Sequence, residues 1–297
     1  MNRWVCWRVA WIAVIVLACG GGGPAKNRAS TQAASVHGVE APTRIVAIAP
    51  SVTEMLFVLG LGERVVGVGD YARWPPEVAG KPRLGGLFDS RLESIAGLNP
   101  DLAILLPSED RLRVQLEKMG VDVLTVRSET IADVEEMAGL IGTRCGVEAA
   151  VEEFLGEWRR GLAPMMPSTP ARVLLSVTRE PGRMADVLVS GPGTFLDELL
   201  GRLGAINVMA DAPLSYPQVG LEEIIIRLPE VIIELQASPG NYDDLRLDWV
   251  GLASEVPMAG VCVKVVTGDH VLIPGPRLPR LYRELEEALL DCAQESE

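Results

Sequence analysis

The chain has 297 residues, 48% of them hydrophobic and 23% charged, with a formal net charge of −13. That length holds two domains of ordinary size or one large one, with enough apolar residues for a substantial core. The first 18 residues carry Arg3 and Arg8 and no acid, so removing them takes the charge from −13 to −15. An acidic surface with no basic stripe and no nucleic-acid motif excludes nucleic-acid binding and attachment through a polybasic membrane patch.

The N-terminus reads as a targeting segment rather than fold. Arg3 and Arg8 precede a short apolar run, Val9 to Ala18, below the roughly 20 residues of a spanning helix. Val16-Leu17-Ala18-Cys19 resembles a bacterial lipobox, which implies a signal peptide over residues 1–18, cleavage before Cys19 and a diacylglycerol on its sulfur. The alternative is an ordinary signal peptide with an incidental cysteine. Residues 19–41, rich in Gly, Ser and Ala, are expected to form a flexible tether. An acylated cysteine on such a leash makes a protein anchored to a membrane, not one that spans it.

Cys145, Cys262 and Cys292 remain beyond the lipid site. An exported chain permits a disulfide, and Cys262–Cys292 is the preferred pair because both fall in the second half; three buried thiols are the alternative.

From residue 42 the pattern alternates. Ile45 to Ala49 is a continuous apolar run, expected to be a buried parallel strand, and Pro50-Ser51 opens a helix in which Ser51 and Glu54 have capping-box spacing. Val65 to Val68 is a second strand, followed by the loop Asp70-Tyr71-Ala72-Arg73-Trp74-Pro75-Pro76. Another loop, Gly85-Gly86-Leu87-Phe88, leads into a short helix. Leu102 to Leu106 is a strand, Arg111 to Met119 a helix, Val121 to Val126 a strand and Ile131 to Ile141 a helix. Strands and helices in alternation predict an α/β lobe with a parallel sheet over residues 42–143. Ligands of such sheets sit beyond the carboxyl ends of the strands, where Ser51, Tyr71, Trp74, Leu87 and Phe88 fall. An aromatic pair in one loop fits a flat, partly apolar ligand. Trp74 with Pro75 and Pro76 has a second reading, a local hydrophobic plug.

Between the lobes, over residues 144–166, apolar residues at helical spacing from Val147 to Leu162 predict one amphipathic helix of about 17 residues, about 25 Å long. Such a helix is a stiff strut. The second lobe, residues 167–297, repeats the alternation. Strands are expected over Ala171 to Thr178, Ala185 to Ser190, Val231 to Leu235 and Val261 to Val266, with a further short one over Val271 to Ile273. Helices are expected over Phe195 to Leu203, Leu245 to Leu252 and Leu278 to Leu290. Ser215-Tyr216-Pro217-Gln218-Val219 is an aromatic loop, and Thr267-Gly268-Asp269-His270 and Pro274-Gly275-Pro276-Arg277 are turns.

One stretch occurs twice. Leu92-Glu93-Ser94-Ile95 leads to Pro100-Asp101-Leu102, and Leu221-Glu222-Glu223-Ile224 leads to Pro229-Glu230-Val231, 129 residues later. In each copy a short helix bearing a glutamate stops at proline before a buried strand. The separation is far beyond the roughly 20–50 residues of a solenoid repeat, so the pattern indicates two like lobes.

These residues together carry a family likeness. Ala49-Pro50-Ser51 with Thr53-Glu54, Gly67-Val68 with Tyr71 and Trp74-Pro75, the two Leu-Glu-x-Ile stretches, Tyr216-Pro217-Gln218-Val219 and Pro274-Gly275-Pro276-Arg277 resemble the substrate-binding proteins of bacterial ABC importers for iron-siderophores and cobalamin. The likeness runs from about residue 42 to 291. It implies two α/β lobes joined by one long backbone helix, with the ligand cleft between them. It also implies a periplasmic or extracytoplasmic monomer that hands its ligand to an ABC permease/ATPase complex through one surface glutamate per lobe, here Glu93 and Glu222. Both glutamates have local readings as well: Ser90-x-x-Glu93 has capping-box spacing, and Glu222 stands in a helix's first turn.

Within that family the chain is most similar to the cobalamin binders, which implies Tyr71, Tyr216 and Leu87 or Phe88 against a corrin. Ser51, Trp74, Asp269, His270 and Arg277 complete the expected cleft. The bound corrinoid is then cargo, with no resident cofactor. A ferric siderophore is the alternative, held by Arg73, Arg179, Arg183 and Arg277. Haem is a third, with His270 as axial ligand; a lone loop histidine is otherwise polar surface. His37 and His270 are too few for a zinc or manganese receptor. There is no Gly-x-Ser-x-Gly and no phosphate loop, so the competing class is an enzyme that processes a metal chelate on the same paired lobes.

Overall fold

The computed structural model describes residues 40–167, 169–179, 182, 185–238, 242–255 and 260–295. The expected signal segment, Cys19, the tether as far as Val39 and Arg183 lie outside the described residues. Among the described residues no helix is long and apolar enough to cross a membrane.

The first lobe runs β1 (Ile45–Ala47), α1 (Pro50–Val58), β2 (Val65–Val68), α2 (Leu92–Gly97), β3 (Leu102–Leu105), α3 (Asp110–Lys118) and β4 (Asp122–Thr125). Its strands form one parallel sheet in the order β2-β1-β3-β4. β1 and β3 are buried along their whole length, the pattern of central strands covered on both faces. The chain leaves through α4 (Ile131–Cys145), whose start is fixed by a capping box between Thr130 and Asp133, and α5 (Glu148–Arg160). The second lobe continues with β5 (Arg172–Thr178), β6 (Val187–Val189), α6 (Phe195–Arg202), β7 (Ile206–Asn207), β8 (Gln218–Val219), α7 (Leu221–Arg227), β9 (Val231–Gln236), α8 (Asp243–Glu255), β10 (Cys262–Thr267) and α9 (Leu278–Glu295).

Three expectations are corrected. The connector helix is shorter than expected: α5 has 13 residues rather than about 17, and Gly146, left-handed at φ 70°, separates it from α4, the helix expected over Ile131 to Ile141. The second sheet is mixed. β10, β9, β5 and β7 are parallel, but β6 and β8 join antiparallel on the edge of β5 that β7 also uses. Residues 271–273 form a turn, not a strand.

Without β6 and β8, the second sheet has the strand order β7-β5-β9-β10, matching β2-β1-β3-β4 element for element. The duplicated stretch is explained by one device built twice. Arg44, just before β1, donates from its guanidinium to Leu98 O and Asn99 O at the end of α2, while its backbone N–H donates to Asp101. Arg172, opening β5, donates to Leu228 O and Arg227 O at the end of α7, and its backbone N–H donates to Glu230. The acid after each proline returns a backbone bond to the same arginine's carbonyl. Each arginine thus satisfies carbonyls that a helix C-terminus leaves unpaired and ties a short helix to the central strand.

One continuous apolar cluster runs from Ile45, Met55 and Ile104 through Val134, Met137 and Ile141 of α4 and Val151 and Trp158 of α5 to Val173, Leu199, Ile233 and Leu281. The two lobes therefore share a core across the connector. Cys262 of β10 and Cys292 of α9 form the disulfide, and Cys145 is a buried thiol at the end of α4. Replacing both Cys262 and Cys292 with serine is expected to lower unfolding free energy by about 3–4 kcal/mol, the loop-closure term for a separation of 30 residues. Urea denaturation of the oxidised protein and the variant measures this difference.

Candidate ligand-binding cleft and docking face

The carboxyl ends of both sheets meet. α1, after β1, brings Glu54 to Arg277, which follows β10; the guanidinium holds the carboxylate through Nε at 3.0 Å and a second nitrogen at 2.5 Å. Arg277 also donates to Asp269 at 2.7 Å and lies 5.3 Å from the centre of the Trp74 ring. At the other side Glu129, after β4, accepts from Phe195 N of α6, and Glu198 of α6 accepts from Ile131 N at 2.7 Å. These contacts join the lobes at two places, one through Arg277 and one through the start of α4.

Of the nine residues expected to line that cleft, three are open. Tyr71 is 66%, Phe88 91% and Tyr216 40% exposed. The Tyr71 loop is pinned: Arg83 donates to Gly69 O and Ala72 O, Asp70 N donates to Gly85 O, and the Asp70 carboxylate accepts from Gly85 N and pairs with Arg91. A Cβ at Gly86 would stand 2.6 Å from the Asp89 carboxylate and 3.2 Å from the Tyr71 ring, so the two loops lie close together here. The Tyr216 loop depends on Gly191 in the same way, where a Cβ would meet Leu214 O at 2.3 Å. Leu214, 62% exposed, adds an apolar side chain that sequence reasoning missed. Burial and the nearby Glu129 carboxylate push the Tyr216 phenol up to about 12, so it stays neutral.

The other six belong to the frame. Ser51 is buried and bonds Ser128, and Leu87 packs partly buried against the core. The expected Ser51–Glu54 capping box does not form. Ala49 is the N-cap with Pro50 in the first turn, and Glu54 turns to Arg277 instead. Burial raises Glu54 to about 7 against the pull of Arg277. For Asp269 burial acts upward, but the hydrogen bond and charge of Arg277 outweigh it and hold the carboxyl low. Trp74, joined to Pro75 by a cis bond, lies half-buried beneath Arg277. This is the plug rather than an open wall. His270 is 1% exposed, its Nε2 lies 2.6 Å from Glu284 and its Nδ1 is buried; burial lowers its pKa, and the ring is not open to solvent.

The cations expected to hold a chelate are committed elsewhere. Arg277 is the latch just described. Arg179 has a fully buried side chain, pairs with Glu234 and Asp248, donates to Leu245 O, and covers the Trp249 ring at 5.2 Å. Arg73 is exposed at the cleft edge.

Glu93 and Glu222 stand in the first turns of α2 and α7, both exposed. The N-cap of α2 is Arg91, so the capping box expected from Ser90 does not form and Glu93 is left without an intramolecular partner among the described residues. On α7 the neighbouring Glu223 takes the local ion pair, with Arg227, and leaves Glu222 to solvent.

Two α/β lobes with matching strand orders and a shared core define a two-lobed binding protein. The chain belongs to the periplasmic binding protein family, whose model matches residues 45–245. It is similar to the vitamin B12-binding protein of Vibrio cholerae serotype O1, 23% identical over 204 residues that cover 67% of this chain and 72% of that one. An uncharacterized ABC transporter substrate-binding lipoprotein, YvrC of Bacillus subtilis, is 26% identical over 311 aligned positions covering 95% and 96%. Among solved structures, the periplasmic haem-binding protein RhuT of Roseiflexus sp. RS-1 superposes with a TM-score of 0.71 at 25% identity, covering 84% of this chain and 98% of that one. The vitamin B12-binding protein BtuF of Vibrio cholerae superposes with 0.68 at 22%, covering 85% and 98%. These relatives are binding proteins, not enzymes.

Removing Arg277 strands a buried carboxylate. Arg277→Met is expected to cost about 3–5 kcal/mol, whereas adding Glu54→Leu should recover most of it, because an apolar pair replaces an ion pair nearly neutrally. Chemical denaturation of the single and double variants tests this.

A second prediction concerns Glu109, 2% exposed, whose Oε2 accepts from Leu106 N at 2.7 Å while Oε1 has no partner. Burial raises it from 4.5 to about 7, against the Leu106 bond. The native state therefore keeps a proton that the unfolded chain releases. This stability is full below about pH 4.5 and is lost as pH rises through 7. Glu109→Gln should be more stable than the wild type at pH 8, by up to about 3 kcal/mol. Its stability should also decline less between pH 5 and 8 in denaturation curves.

Proposed function

We propose that the protein is the substrate-binding component of an ABC importer, that it holds a corrinoid of the cobalamin type in its cleft, and that it delivers this cargo to a membrane permease. The observation that carries the reading is the pair of exposed phenols, Tyr71 on the loop after β2 of the first lobe and Tyr216 on the loop before β8 of the second, with Phe88 and Leu214 exposed nearby in the chain. Flat apolar walls with few free charges suit a large, partly apolar macrocycle. The vitamin B12-binding relatives support the same cargo. Acylation of Cys19 would anchor the chain outside the cytoplasmic compartment as a monomer, and the lipoprotein relative of Bacillus subtilis supports that placement. Glu93 and Glu222 dock onto cations of the permease. Each exposed pair contributes only about 0–1 kcal/mol, so the two set register more than affinity.

Haem is the second reading, favoured by the likeness to RhuT. Against it stands the buried ring of His270. An anionic ferric chelate has Arg73 at the cleft edge, with Arg179 and Arg277 already committed.

Calorimetric titration with cyanocobalamin, haem and ferric siderophores tests the reading. Tight one-to-one binding of cyanocobalamin alone is expected, with the ligand recovered unchanged. Tyr216→Ala should weaken it by about 1–3 kcal/mol, the usual range for an aromatic anchor in a desolvated site. Exclusive binding of haem or a siderophore would replace the cargo, and unchanged affinity in the variant would remove Tyr216 from the site.

A further inference from the structure

The loop after β3 holds a carboxylate that the fold does not require. Glu109 N donates to Leu106 O, and Glu109 Oε2 accepts from Leu106 N at 2.7 Å. That reciprocal turn needs a single side-chain acceptor, which glutamine would supply without burying a charge. The second oxygen, Oε1, is buried with no hydrogen-bond partner, on a residue only 2% exposed. Buried polar atoms are almost always paired, so an orphan acceptor calls for a partner from outside the fold. Glu109 lines a hollow of about 480 Å³ together with Phe88, Asp89, Glu93, Arg111 and Gln115. The hollow stands next to the Tyr71 ring, because Gly86 touches both. A Cβ on Gly86 would lie 3.2 Å from that ring, and Gly86 N donates to Asp89 Oδ1 at 2.9 Å.

The lining selects the chemistry of a ligand group. Ionised Asp89, Glu93 and Glu109 only accept hydrogen bonds, the Arg111 guanidinium only donates, and the Gln115 amide does both. A carboxylate entering this hollow would meet one cation and three acids. An ammonium would meet the acids but also the charge of Arg111. A carboxamide uses both kinds of group without a charge of its own: its N–H groups donate to carboxylates and its carbonyl accepts from a guanidinium. We infer that the hollow is a subsite for one carboxamide arm of the cargo, with Glu109 and Asp89 accepting from the amide nitrogen and Arg111 donating to the amide oxygen. This rests on the corrinoid reading of the cargo. A corrin of the cobalamin type bears carboxamide arms around its ring, whereas haem bears carboxylates, which the acids repel. Glu109 is in that case a specificity-determining residue. Phe88, 91% exposed on the same lining, offers a flat apolar neighbour to the ring from which the arm extends.

The test changes one arm of the ligand at a time. Calorimetric titrations at pH 8, where Glu109 is ionised, compare cyanocobalamin with its isomeric monocarboxylic acids, in each of which a different carboxamide has been hydrolysed. The isomers share one net charge, so repulsion by the acidic protein as a whole weakens them alike. The expected result is that one isomer binds at least about tenfold more weakly than the others. Glu109→Gln and Asp89→Asn are titrated in parallel. Both keep an oxygen for the backbone bond to Leu106 or Gly86, and each should shrink the penalty on that isomer toward the level of the others. Isomers that all bind equally, with cyanocobalamin still held tightly, overturn the subsite and leave the corrinoid cargo intact. A penalised isomer whose penalty neither variant changes puts the recognition elsewhere and also overturns the subsite. Failure of the wild-type protein to bind cyanocobalamin overturns the corrinoid reading and the subsite with it.

Discussion

The Arg277 guanidinium meets Glu54 of the first lobe, Asp269 of the second and the ring of Trp74 within one buried cluster. Around it the remaining parts of the hinge are set. Trp158 of α5 donates its indole N–H to Gly275 O, two residues from Arg277, so the connector is fastened to the same turn. A Cβ on Gly275 would sit 3.7 Å from Ser51 Cα, which shows how closely that turn approaches the start of α1. Tyr282 of α9 donates to Ala163 O and Arg202 O, fixing the last helix to the chain that leaves the connector. The cleft is thus bounded at its back by an ion pair whose partners stand 223 residues apart in sequence.

The second constraint is the duplicated arginine plug. A helix of six or seven residues is too short to persist by its own hydrogen bonds, and α2 and α7 are of that length. Arg44 and Arg172 supply what the helices lack by capping their last carbonyls from the neighbouring strand. Because β1 and β5 are central strands, the orientation of Glu93 and Glu222 is referred to the middle of each sheet rather than to a surface loop. Two glutamates on opposite lobes are in this way held in a fixed relation by backbone geometry.

Much of the architecture was legible because it is periodic. Buried parallel strands announce themselves as short apolar runs, and the second Leu-Glu-x-Ile stretch disclosed the duplication before any coordinates did. The two helices between the lobes were legible as separate apolar periodicities, over Ile131 to Ile141 and Val147 to Leu162, and β6 as the run from Ala185 to Ser190. β7 and β8 were hidden: strands of two residues are too short to show alternation. At the site the outcome divided by side-chain chemistry. Tyr71, Phe88 and Tyr216 could be placed at strand ends, and their exposure follows from having no internal partner. Arg277, Asp269 and His270 lie in turns that looked equally open, but each found a countercharge that nothing in its local sequence indicates: Glu54, Arg277 and Glu284.

The latch and the core resist movement in different ways, and that difference bears on delivery. Parting Glu54 from Arg277 into water returns hydration to both ions, so opening the lobes at that edge costs far less than deleting one partner inside the closed protein. The apolar cluster through Val134, Met137, Val151 and Trp158 has no such compensation, because each Å² exposed there costs about 25 cal/mol. Opening that breaks the ion pair while keeping the connector packed is therefore the least costly route. The lobes would tilt about α4 and α5 rather than separate. Under the docking proposed for Glu93 and Glu222, one on each lobe, a permease would hold the two bodies at points from which such a tilt can be driven.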